Sequence, residues 1–337
     1  MLLSFVYVWS YGGWFLIFIV ASLYILVESL NYAFLKVHDN WLSRVINLRV
    51  KKTDLIDKVY LFCLHFIKSI FSFKNIKLLA SVLVGLALGL IINPYFPKNL
   101  EFYYIHIIKI AFVNYQSVIG VGSEWYPYKV NDFFINNLLP FVISFIALVI
   151  FLNYHKKFKV EVKYALVLFL VFVLATIKSR RNVEYLAPFA VIFSALTLSQ
   201  TLMISEIRRD FKEFKNIIKK VFLNDLYTKI LLTVFLTVMI ILVFYRMPYH
   251  AKQSLDNGFN FNYLKSASEY LFTHSQPGDI VLHSDWDEFP ILFYHNSQNY
   301  YIVGLDPTFM YLYDQNLYAK WVDITRGQRY KDLYNIV

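Results

Sequence analysis

The sequence predicts a polytopic α-helical membrane protein of about six transmembrane helices carrying a C-terminal extracytoplasmic α/β domain. Three observations predict it. Of 337 residues, 58% are hydrophobic and 19% aromatic, with 10 Gly and 9 Pro, a composition foreign to ordinary soluble domains. Apolar runs near the ~20 residues that a helix needs to cross a bilayer core recur as far as position 246. Residues 247–337 then change character: Lys and Arg number 6 there against 10 Asp and Glu, so a tail of −4 follows a segment of +14 in a chain of net charge +10.

Six stretches qualify or nearly qualify as spans: 12–30, 78–93, 136–153, 161–177, 182–204 and 229–246. The segments between them decide orientation, because excess Lys and Arg stay on the cytoplasmic side while acidic segments translocate freely. Residues 31–77 carry 9 basic and 3 acidic side chains, 154–163 carry 4 and 1, and 205–229 carry 7 and 4. These three alternate along the chain and are expected to be cytoplasmic. The outer set is then the 93–135 loop, balanced at 3 and 3, the turn 178–181 and the tail. Only Lys178-Ser179-Arg180-Arg181 runs against the rule.

Residues 55–73 mix apolar side chains with Lys58, His65 and Lys68, the pattern of a helix in the headgroup plane; the alternative, a seventh span, would invert everything downstream. Residues 102–115 repeat the theme outside, where His106, Lys109 and Asn114 interrupt an aromatic face suited to a lipid-linked ligand. Gly120, Gly122 and the segment Glu124-Trp-Tyr-Pro-Tyr128 follow, and Pro127 prevents helix continuation. In the tail, residues 261–274 have helical spacing, 277–279 form a turn, and a short strand, a helix from about 286 and a second strand near 300 follow. That order is the unit of a parallel α/β layer. No glycine-rich phosphate loop follows the first strand, which argues against dinucleotide binding.

Cys63 is the one cysteine, which excludes an intrachain disulfide and any cysteine-rich zinc site. The basic residues fall in short runs between apolar segments, so membrane lipids with anionic headgroups, and no nucleic acid, are the expected partners. Multi-pass residence in the cell (plasma or inner) membrane follows. With Met1 on the outside and nothing soluble before the first span, the chain is expected to be the carboxy-terminal portion of a longer protein.

Several constellations could carry chemistry. Lys178, Arg180 and Arg181 sit in a turn too short to leave the membrane surface, with Glu184 one helical turn further on. Arginine's planar fork suits phosphate oxygens, so this turn reads either as a lipid-phosphate site or as interfacial anchors with Glu184 pairing Arg180 or Arg181. Asp285, Asp287 and Glu288 gather after the first predicted strand of the tail. Asp285 and Asp287 are spaced to hold a divalent metal, Mg²⁺ or Mn²⁺, or to cap the helix that follows. Asp306 before Pro307 is a turn device or a site wall. His106, His283 and His295 lack the spacing of helical zinc ligands, and no serine-hydrolase, P-loop or HExxH signature is present.

The segments INPYFPKNL, EWYPY, SRRNVEYLAPFAVIFSAL and PGDIVLHSDWDEFPILFYHNSQNYYIVGLDPTFMY together resemble the carboxy-terminal half of bacterial GT-C type membrane glycosyltransferases, which include protein O-mannosyltransferases and arabinosyltransferases. The resemblance rests on arrangement and diffuse motifs over most of the chain. It implies transfer of a sugar from a polyprenyl phosphate donor to an extracytoplasmic glycan or protein acceptor. The 178–181 turn would then contact the donor phosphate, and His106, Asp285, Asp287, Glu288 and Asp306 would lie on the acceptor side. In that superfamily the catalytic carboxylate lies in the first external loop after the first span; here the loop after the first apparent span is the basic one. Either the catalytic half lies outside this chain, or another external carboxylate, Glu124 first among them, acts as base. The rival expectations are a non-catalytic membrane-anchored module binding a glycan or protein, and a lipid-linked sugar transporter, which the scarcity of intramembrane polar residues beyond Glu28 and Glu184 disfavours.

Overall fold

A computed structural model describes residues 1–45, 53–205, 260–304 and 306–328, with scattered positions between 208 and 258. It divides into two compact units, one of Met1–Gln116 and Gly122–Ile204, the other of Ser117–Val121 and Ser205–Val337. The described residues are mostly helical, with a single two-stranded sheet among them. Among the described residues, four helical stretches are long and apolar enough to cross a membrane: Leu16–Val37, Phe73–Ile91, Val160–Lys178 and Arg180–Met203. A fifth arises if the pair Val130–Asn136 and Leu138–Tyr154, bent by 78°, counts as one span. These five overlap the first five stretches read from the sequence; the sixth, 229–246, lies mostly outside the described residues.

In the first unit, α1 (Leu2–Ser10) and α2 (Leu16–Val45) are joined by a turn at residues 11–15. The α1 helix lies along α4 (Phe73–Ile91), which offers a small-residue notch at Gly85 and Gly89. A Cβ at Gly89 would come within 2.9 Å of the Phe5 carbonyl and the Val8 Cβ, so the two backbones approach as only glycine allows. The indole of Trp9 donates to the Gly89 carbonyl at 3.0 Å, and Val8, Ala21, Val82 and Leu86 pack where α1, α2 and α4 meet. The α3 helix (Thr53–Ile70) turns back along the second half of α2, pairing Phe62 with Phe34 and His65 with Tyr32. It is not among the four candidate spans.

The α7 (Leu138–Tyr154), α8 (Val160–Lys178) and α9 (Val183–Met203) helices form the other half. The successive contacts of Ser144 with Ala190, Phe151 with Phe193, and Lys159 with Gln200 run in the same direction along both chains, so α7 and α9 are parallel. The α8 helix runs opposite to α2: Lys163 meets Asn31, Tyr164 meets Tyr24, and Phe172 and Ala175 reach the α1–α2 turn. Segments 31–37, 58–74 and 154–163 therefore gather at one end of the bundle, and the 178–181 turn lies at the other.

In the second unit, α10 (Lys265–His274) precedes β1 (Ile280–Val281), α11 (Phe289–His295), β2 (Tyr300–Tyr301), α12 (Pro307–Tyr313) and α13 (Gln315–Thr325). The two strands pair in parallel, Ile280 beside Tyr300 and Val281 beside Tyr301, with α11 as the crossover between them. Val303, Met310 and Trp321 form the buried centre. Beneath the strands, Asn296 and Asn299, 1% and 2% exposed, share a hydrogen-bonded network with Ser275. Burying amides is tolerated when partners are supplied.

Candidate functional site

The 93–135 loop is built before the site is. After α5 (Lys98–Tyr103) the backbone continues as a π-helix over Tyr104–Val113, the segment that the sequence reads as an external amphipathic helix. It ends at Asn114, whose φ of 54° breaks the run and whose side chain donates to the Trp125 carbonyl at 2.9 Å. Asparagine is one of the few side chains that tolerate this left-handed turn. The chain is thereby brought back to a 3₁₀ turn, Ser123–Trp125.

That turn is fastened to the basic turn between α8 and α9. The Ser179 hydroxyl donates to the Glu124 carbonyl at 2.9 Å, the Arg180 guanidinium to the Ser123 carbonyl at 2.5 Å, and the Arg180 amide to the Tyr126 carbonyl at 3.1 Å. Lys178 donates to the Phe112 carbonyl at 2.6 Å. Arg181 meets the Glu124 carboxylate at 3.3 Å, and its guanidinium lies 5.0 Å from the centre of the Trp125 ring. Four residues distant in sequence from the loop thus hold it at the end of the bundle.

Beside this junction is a cavity of about 620 Å³, within the range of small-molecule sites. Its walls come from α1, the Tyr11–Phe15 turn, the start of α2, the π-helix, and the facing ends of α8 and α9. Lys178, Arg181, Glu184 and His106 line it, as do Trp9, Tyr11, Phe112, Trp125 and Tyr185. His106 stacks on Phe102 and covers Gly12, where a Cβ would meet the imidazole Nε2 at 2.9 Å. The Tyr11 hydroxyl donates to the Glu184 carboxylate at 3.0 Å and also contacts the Tyr185 hydroxyl. Burial raises the Tyr11 phenol above its ordinary value, the Tyr185 hydroxyl opposes that, and the Glu184 charge adds to it, so at neutral pH Tyr11 is a hydroxyl donor. Pro188, inside α9, has no amide to offer the Glu184 carbonyl one turn earlier.

Of the residues singled out in sequence, Lys178, Arg180, Arg181, Glu184, Glu124 and His106 are therefore gathered at one end of the first unit. Glu124 stands outside the lining, behind Arg181, and Glu184 is the carboxylate on the wall. The arginine partner is Glu124, where sequence proximity suggests Glu184. Trp125 lies in the aromatic segment already marked in the sequence, whereas Trp9, Tyr11 and Tyr185 are additions of the structure; for Tyr11 the local signal is the Gly12-Gly13 pair that follows it.

Asp285, Asp287, Glu288 and Asp306 belong to the second unit. Asp285 Oδ1 accepts from the Asp287 amide at 3.1 Å, and Asp306 Oδ1 accepts from the Thr308 amide at 2.8 Å. Both are N-cap contacts. Glu288 Oε2 accepts from the Ser284 hydroxyl at 3.3 Å and lies 4.0 Å from His283 Nδ1. Among the described residues, no group of three or more His, Cys, Asp or Glu side chains could hold a metal ion. His283 is buried with its two ring nitrogens 2.8 Å from the carbonyls of Asp285 and Val303, and His295 Nε2 lies 2.7 Å from the Phe261 carbonyl.

No protein-family model, curated protein or solved structure matches this chain.

Proposed function

We propose that this chain is a membrane glycosyltransferase, or the carboxy-terminal part of one, that takes a sugar from a polyprenyl phosphate donor and passes it to an extracytoplasmic glycan or protein acceptor. In this reading the bundle crosses the cell membrane about six times, and the second unit is an external α/β domain on the acceptor side. The carrying observation is the cavity at the 178–181 turn, where two cations, a carboxylate and an aromatic wall meet at the bundle end opposite residues 31–37, 58–74 and 154–163. An amphiphile with an anionic head and an apolar tail has the matching chemistry.

Each side chain has a task in such a reaction. Arg181 and Lys178 hold the donor phosphate as charge develops on it in the transition state, and the aromatic rings receive the sugar or the first isoprene units. Activating an acceptor hydroxyl needs a carboxylate within ~3 Å. Its place on the wall and its hydrogen bond from Tyr11 support Glu184 in that role over Glu124, whose carboxylate is turned to Arg181. Glu124 then positions Arg181. The expectation of Mg²⁺ or Mn²⁺ at Asp285 and Asp287 takes no part in this reading, because Asp285 accepts from the Asp287 amide as a cap.

The second reading, a non-catalytic membrane-anchored binding module, is favoured by one observation: Lys178 and Arg180 already donate to loop carbonyls, as structural fasteners would. Binding of a polyprenyl phosphate sugar, and of the same polyprenol without phosphate, to the chain in nanodiscs decides the donor question. The phosphate should confer at least about tenfold tighter binding, the equivalent of one charge-assisted contact, and Arg181→Gln should remove most of that preference. Equal binding of the two lipids would sink the transferase reading.

A further inference from the structure

We infer that Tyr185 is a positioning residue for the Glu184 carboxylate and acts on it through Tyr11, an inference that rests on the reading of Glu184 as base. The hydroxyl hydrogens decide the direction. Tyr11 has one, and it goes to Glu184 Oε1 at 3.0 Å, because an ionised carboxylate only accepts. The Tyr185 hydroxyl contacts the same Tyr11 oxygen, so Tyr185 is the donor of that bond. Donation therefore runs one way, from Tyr185 to Tyr11 to Glu184. A hydroxyl that accepts is a stronger donor in turn, so Tyr185 tightens the bond that holds the carboxylate.

Glu184 and Tyr185 are neighbours on α9 and leave that helix about 100° apart, and Tyr11, from the α1–α2 turn, bridges them. Both rings are fixed from behind. Tyr11 folds over Gly13, where any side chain would collide with its ring, and packs on Tyr7 at 5.6 Å. Tyr185 stacks on Phe172 at 5.0 Å, and the buried Phe172 stacks on Phe189 at 5.1 Å. Tyr185 is thus seated on the packed core of α8 and α9, and it lends that fixity to a tyrosine on a turn. A base has to present its lone pair within ~3 Å of the acceptor hydroxyl, and a rotamer locked by hydrogen bonds and packing keeps it there.

The test is a double-mutant cycle on the full chain in nanodiscs. It is read as kcat and donor KM and, independently of turnover, as the Glu184 carboxylate band in infrared spectra, assigned by subtraction of Glu184→Gln. Tyr185→Phe keeps the ring stack and should lower kcat about fivefold, the worth of one hydrogen bond, with donor KM unchanged. The band should move with it. When Tyr11 is already Phe, the same change should add nothing to either readout. An equal effect in both backgrounds overturns the inference, because Tyr185 then serves Glu184 directly or by packing alone. An unmoved band in Tyr185→Phe overturns it whether or not the chain turns over, and so does loss of folding in that variant, which would make Tyr185 a packing residue. A chain that transfers nothing while the band behaves as expected sinks the transferase reading and supports the positioning of Glu184.

Discussion

Arg181 Nη1 lies 3.3 Å from Glu124 Oε1, an ion pair across more than fifty residues of sequence that ties the basic turn to the 93–135 loop. Both side chains are 43% exposed, so the pair is screened and worth only ~0.2–1 kcal/mol. Its energy is too small to hold the loop, which rests on the four hydrogen bonds to backbone carbonyls around it. Glu124→Gln should therefore leave the melting temperature within a few degrees of the parent. Arg181→Gln should do the same yet weaken phosphate-dependent lipid binding about tenfold or more. Unfolding in either variant would show that the pair is a fastener.

The two carboxylates are separated by turnover. With Glu184 as base, Glu184→Gln should lower the rate about 100-fold or more while donor affinity holds. Glu124→Gln should lower it less, through a mispositioned Arg181. Tyr11→Phe removes the hydroxyl that donates to Glu184 and should lower the rate while donor affinity holds. The reverse ranking of Glu124 and Glu184 would restore the assignment read from sequence.

The difference between what was and was not legible follows from range. Apolar runs and charge alternation are local, and five of the six stretches overlap helices that meet or can meet the length and apolarity of a span. The 178–181 turn was legible because its charge opposed its setting. The partner of Arg181 was not, because Glu124 is brought near by Asn114, Ser179 and Arg180, contacts that no periodicity encodes. The α1 helix was hidden for another reason: its 9 residues fall short of a span, and its place depends on distant contacts, the Gly85 and Gly89 notch on α4 and the Trp9 hydrogen bond among them.

That notch can be tested directly. Gly89→Ala puts a methyl against the Phe5 carbonyl and Val8 Cβ, at 2.9 Å in the present geometry, and overpacking of this kind costs ~1–3 kcal/mol. Gly120→Ala meets nothing within 4 Å and serves as the control. Thermal melting in detergent should fall for the first and hold for the second. Equal behaviour would mean that α1 moves away without loss.

Orientation is read by a membrane-impermeant maleimide. Cys63 is exposed on α3, in the basic segment expected inside, so intact cells should leave it unlabelled. A cysteine at Ser297 in a Cys63→Ser background is exposed in the second unit and should label. Labelling of Cys63 but not of position 297 would invert the molecule and remove the external acceptor.

Asp285 separates a cap from a metal ligand, because asparagine caps a helix as well as aspartate does but is a poorer ligand for a hard cation. The side chain accepts from the Asp287 amide, which is the contact a cap needs. Asp285→Asn should therefore keep both stability and any response of activity to Mg²⁺ or Mn²⁺, whereas Asp285→Ala should lose ~1 kcal/mol. Asp306→Ala, which frees the buried Thr308 amide, should cost at least as much because the amide is left without an acceptor. If the Asn variants of Asp285 and Asp287 melt normally but no longer respond to the ions, the acid cluster is a metal site after all and the capping contact is secondary to it.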